Sequence, residues 1–144
     1  MILDKLGLLD DAKAFTAGTT LFTDKIDLGA VARALGDGEP LLMKITIDVA
    51  AAGSTDTTSF AILTDGDAAL GSPTVIITRT IANALLTAGS KHYVPLPPGV
   101  TLEQYLGGRI ILGSGDSVTA TVAVVPWSMA NDSPKYYAKG YSNA

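Results

Sequence analysis

The stretch His92 to Leu112, HYVPLPPGVTLEQYLGGRIIL, constrains this chain most. Pro97-Pro98-Gly99 fixes two φ values and then offers a residue that tolerates positive φ, which is turn chemistry and stops a helix. Both flanks are β-prone: His92, Tyr93 and Val94 before the turn, Tyr105, Leu106 and Arg109 to Leu112 after it. The expectation is strand, rigid turn, strand. Pro95 and Pro97 cannot donate to a ladder, so the first arm should be an edge strand or end at once.

The rest of the chain repeats this grammar. Residues 41 to 49, LLMKITIDV, alternate strictly, with Met43, Ile45, Ile47 and Val49 on one face and Lys44, Thr46 and Asp48 on the other. Residues 58 to 64, TSFAILT, are apolar on both faces, so either a partner subunit or a covering loop must lie on one of them. Residues 74 to 81 form a further β run. Ser114-Gly115-Asp116 reads as a tight hairpin into residues 117 to 125, where Val118, Ala120, Val122 and Val124 face inward. Residues 21 to 28 suggest an irregular strand with Phe22, Ile26 and Leu28 on one face, and Val31 to Leu35 a single helical turn. Seven or eight short strands with Gly, Pro and Asp turns predict an all-β antiparallel sandwich of jelly-roll type. The expected organisation is an N-terminal arm over 1–15, a sandwich over 16–126 and a C-terminal tail over 127–144.

Composition narrows the function classes. At 144 residues one domain is expected, with a core large enough to need no staples. The lack of cysteine excludes disulfides and thiolate metal sites. Net charge is −4 with scattered Lys and Arg, so no nucleic-acid partner is expected. No apolar run reaches the ~20 residues that span a bilayer, and residues 1–5 do not read as a signal peptide, so the chain reads as soluble and intracellular, with no membrane partner. Only 17% of residues are charged while 47% are hydrophobic, a surface that suits association with copies of itself or a larger body.

Nothing in the sequence assembles a catalytic set. His92 is the single histidine and lacks the partners of a triad or metal site; Glu39 and Glu103, the two glutamates, are not placed as a hydrolase pair. Asp65-Gly66-Asp67 looks like the start of a calcium loop, but without the later ligands it is more simply a turn. Asp56, Asp65, Asp67 and Asp116 would hold Ca²⁺ only if they converged at one end of the sandwich. No catalytic, cofactor-binding or metal-binding residue is therefore assigned, and the chain is read as not an enzyme.

The tail poses an energetic question. Ordering residues 126–144 costs roughly 20–40 kcal/mol at about 1–2 per residue. Burying Trp127, Tyr136, Tyr137 and Tyr141 returns roughly 15–25 kcal/mol at ~25 cal/mol/Å². Side-chain burial alone does not hold it, so it either adds to a neighbour, stays mobile, or frays back on its own sheet.

Several segments in order resemble the jelly-roll capsid cement, or decoration, proteins of tailed bacteriophages: Met1-Ile2-Leu3-Asp4, Asp24 to Gly29, Gly36 to Leu41, Val94 to Gly99 and Tyr105-Leu106-Gly107. The resemblance runs from Met1 to about Val125 and leaves out the tail. It implies a structural protein, made in the host cytoplasm and located on the outer surface of the virion capsid. There it would clamp neighbouring major capsid proteins against internal DNA pressure, as a homo-oligomer, dimer or trimer, with no cofactor. Expected interface residues are Ile2 and Leu3 in the arm, Phe60, Ile62 and Leu63 on the sheet, and Trp127, Tyr136, Tyr137 and Tyr141 in the tail. The alternative is a carbohydrate-binding jelly-roll module on a virion surface.

Overall fold

A period of two demands strands, and strands are what forms. A computed structural model of the chain describes residues 7–29, 33–34, 41–53, 56–97 and 100–126. The strands are β1 (Leu8–Leu21), β2 (Ile26–Asp27), β3 (Arg33–Ala34), β4 (Leu41–Ala52), β5 (Thr57–Asp65), β6 (Thr74–Ala82), β7 (Lys91–Pro95), β8 (Thr101–Leu102) and β9 (Tyr105–Pro126), with one 3-10 turn at Asn83–Leu85. All pairings are antiparallel.

The architecture follows from β9. It is 22 residues long, and its two halves lie in different layers. Tyr105 to Ile111 pairs β5 on one side, while Arg109 to Leu112 pairs the end of β1 on the other. Ser117 to Pro126 pairs β4 and the start of β1. Four segments therefore turn one common corner: β1, β9, β4 with β5, and β6 with β7. One layer is β6-β5-β9-β1 and the other β7-β4-β9-β1, an antiparallel sandwich made by folding a long ribbon once. Gly18, φ 107°, and Gly115, φ 81°, mark the bends of β1 and β9.

Between the layers lie Phe15, Phe22, Met43, Ile45, Ile47, Phe60, Ile62, Leu106, Ile110, Val118, Ala120 and Val122. Gly108 shows how tightly they fit. A Cβ there would stand 2.7 Å from both the Ala61 carbonyl oxygen and the Phe22 ring, so only glycine seats that ring against β9. At the end away from the corner, the crossover from β7 to β9 caps the core with Leu96, Val100 and Leu102, and its β8 pairs β3 of the other crossover.

Several expectations are corrected. Residues 8–15, read as an arm, form the first part of β1, with Leu9 and Phe15 buried; bulges conceal their alternation. Ser114-Gly115-Asp116 bends one strand and does not reverse it, because both halves of β9 follow the same chain of partners, β4 and then β5. The arms around Pro97 likewise do not form a hairpin: β7 and β9 flank β4 on opposite sides, and the intervening stretch crosses between layers. β7 is, as expected, a short edge strand. Arg33 and Ala34 are strand and not helical turn. Val49, expected inside, is 59% exposed because the ladder shifts register between Ile47 and Val49.

Candidate functional site

Each expected site residue has a definite place or lies outside the described residues. Ile2, Leu3, Trp127, Tyr136, Tyr137 and Tyr141 are outside. Phe60, Ile62 and Leu63 are 0%, 2% and 0% exposed. Phe60 and Ile62 belong to the core between the layers. Leu63 faces the other way and pairs Gly107, over which Leu70 packs from the loop after β5. The chain's own loop thus answers the two-sided apolarity of β5, and a partner subunit is not needed to cover it.

The acidic residues do not converge. Asp56 and Asp116 sit at the corner and Asp65 and Asp67 at the opposite end of β5, about 26 Å away at 3.3 Å per residue. Asp65 is a turn residue: its carboxylate accepts from the backbone N–H of Asp67 at 3.1 Å and of Ser72 at 3.0 Å. Asp116 is buried and structural. It accepts from Asn83 Nδ2 at 2.9 Å, while Asn83 Oδ1 accepts from Thr58 Oγ1 at 2.6 Å and Nδ2 also reaches the Gly53 carbonyl at 2.8 Å. This network pins all three turning segments other than β1 at the corner. A side chain at Gly53 would collide with Asp116, its Cβ lying 1.7 Å from Oδ1.

Among the described residues, a face and two margins are further exposed features, besides Val49 and Leu85, 59% and 63% exposed. The outer face of the β6-β5-β9-β1 layer carries Thr19, Ser59, Thr78, Thr80, Arg109 and Ile111, polar but almost uncharged, with Ser59 Oγ and Thr80 Oγ1 sharing a hydrogen bond at 2.9 Å. Among the described residues no aromatic is fully exposed there or elsewhere: Tyr93 and Tyr105 are half-buried and the three phenylalanines buried.

At the β1 margin the layers are joined by side-chain and backbone contacts. Phe15 and Phe22 meet edge to face at 5.9 Å, Asp10 accepts from the Thr23 N–H at 3.0 Å, and Asp24 N–H donates to the Leu9 carbonyl at 3.0 Å. At the opposite margin Arg79 of β6 donates to the Tyr93 carbonyl of β7. His92, beside it, shares a hydrogen bond between Nε2 and Ser90 Oγ at 3.1 Å. Burial holds its pKa below the ordinary 6.5, the Arg79 charge lowers it further, and a hydrogen bond with the Leu85 backbone opposes both.

The sequence signal that could have located this margin is the run TVIITRTI, whose single arginine interrupts an otherwise uncharged strand. A family model described as Bbp16 matches residues 9–125, nearly the whole sandwich. Among solved structures the fold is similar to one titled "Crystal structure of PirA", at 9% identity and a TM-score of 0.45, over 81% of this chain and 95% of that one. No curated protein matches the chain.

Proposed function

The chain belongs to the Bbp16 family, whose name is of phage type, and from that premise we propose that it is a capsid cement protein of a tailed-phage head. In this reading it lies on the outer capsid surface as a homo-oligomer and clamps neighbouring major capsid proteins. The observation that carries the reading is the extent of the family match: it coincides with the sandwich from β1 to β9, so the shared unit is the folded ribbon itself.

A clamp needs no reactive group. It works by many modest contacts engaged at once, each raising the effective concentration of the next. A charge-poor outer face of hydroxyls suits such contacts, because desolvating a hydroxyl costs far less than desolvating a charge. Ile2 and Leu3 before β1, and Trp127, Tyr136, Tyr137 and Tyr141 after β9, are assigned here to capsid contacts.

Purified chain added to expanded heads that lack it tests the reading. Saturable occupancy, with a higher temperature for head disruption, is the expected result. Absence of binding to heads, or glycan binding in its place, would overturn it. Removing residues 128–144 should lower occupancy at fixed concentration; unchanged occupancy removes the tail from the contact set.

A further inference from the structure

A sheet that does not close on itself ends in free backbone N–H and C=O groups, and a regular, uncharged edge pairs with another strand unless something blocks it. Two of the outer strands here are blocked. β1 shifts register three times and carries Asp10, Asp11 and Lys13. β7 has five residues and ends on Pro95, which has no N–H.

β6 has no such guard over most of its length. It has nine residues, TVIITRTIA, without Pro, Gly, Asp, Glu or Lys, and among the described residues it pairs with β5 alone. Its one register shift, at Ile76, lies toward the end away from the corner, and Ile77 to Ala82 pairs without interruption. Its one charge, Arg79, is tied across the layers to the Tyr93 carbonyl. Val75 is 42% exposed, and Thr78 and Thr80 are exposed beside it.

We propose that β6 is the contact between two copies of this chain, paired antiparallel about a two-fold axis near Thr78 so that one sheet runs through both. The inference deepens the homo-oligomer part of the proposed function and is independent of the capsid part. A second copy is the occupant that fits. An antiparallel strand is its own two-fold complement, so the contact closes at two copies. Head-to-tail assembly would need β1 or β7 as the receiving edge, and both are guarded. Although each chain carries a net charge of −4, β6 contains no acidic residue, so the edges meet without local repulsion between carboxylates.

A charge exchange at the axis tests it. Like charges directly opposite each other oppose strand pairing and opposite charges favour it. In sedimentation equilibrium on the full chain without heads, the parent should be dimeric. Thr78→Lys and Thr78→Glu should each weaken the dimer at least tenfold, and an equimolar mixture should restore it. The mixture keeps the test informative where one variant alone loses stability. A monomeric parent, or a dimer unmoved by both changes and by mixing, overturns the assignment. Occupancy on heads is scored separately, so failure of the β6 contact and failure of the capsid reading give different results.

Discussion

The two margins of the folded ribbon solve one problem in unequal ways. At each, two layers must be held together beyond the last ladder. The β1 margin uses an aromatic pair, a buried carboxylate and a cross-layer backbone bond, and in doing so spends its strand edge on bulges and side-chain contacts. The β6 margin uses a guanidinium on a carbonyl and keeps its strand straight for six residues. A margin sealed by packing cannot also be an open edge. The contrast separates stability, concentrated at β1, from association, assigned to β6.

The sharpest way to break this contrast is Phe22→Ala. Phe22 is fully buried, so the expected loss is about 3–5 kcal/mol in urea unfolding. A loss as small as that of a surface change would mean the β1 margin is not the tight one. Gly108→Ala comes next. Its Cβ would press on a backbone oxygen and an aromatic ring, neither of which yields easily, and overpacking of this kind costs about 1–3 kcal/mol. Combined with Phe22→Ala the two losses should fall short of additive, because the ring is one of the two obstacles.

Asp10→Ala removes the acceptor of the Thr23 N–H. Because Thr23 is exposed and water can replace the carboxylate, about 1.5 kcal/mol is expected, the low end for a lost charged hydrogen bond; the contact with half-exposed Lys13 at 3.8 Å adds little. Arg79→Gln should cost least, under about 1 kcal/mol, since Arg79 is exposed.

The last substitution has a clearer readout than stability. His92 has a folded-state pKa below 6.5, so near that pH the unfolded chain binds more protons. Its contribution therefore lowers stability as pH falls through 6.5 toward the folded value and is absent well above it. Without the Arg79 charge the His92 pKa should rise, and this acid-side loss should shrink. An NMR titration of the imidazole in both proteins checks the direction; an unmoved pKa would mean that burial alone sets it.

Much of this was readable in the sequence where a strand alternates, although the face of β4 expected to be wet is itself covered at Leu42 and Lys44, 1% and 6% exposed. The alternation of residues 41–47 put Met43, Ile45 and Ile47 inside, and the valines of 118–122 with them. It failed where the period breaks. LLDDAKAF hides a strand because two bulges each move its side chains to the wrong parity. Turn residues carry less information than strands: Gly-Asp and Pro-Pro-Gly say that the chain leaves a straight path, and they do not say whether it reverses, bends or crosses. Partners remote in sequence decide that, as β4 and β5 do for β9. The corner network was invisible for the same reason, since Asn83 and Asp116 are 33 residues apart.

The pairing of Leu8 with Ala123 has a mechanical corollary. The backbone before β1 and the backbone after β9 leave from neighbouring points of one ladder. Tension that draws them apart would open that ladder rung by rung, a low-force geometry. Tension that draws both in one direction loads the two strands together and leaves their hydrogen bonds unstrained. A body that grips both flanking segments from the same side would thus hold the domain where it is mechanically strongest.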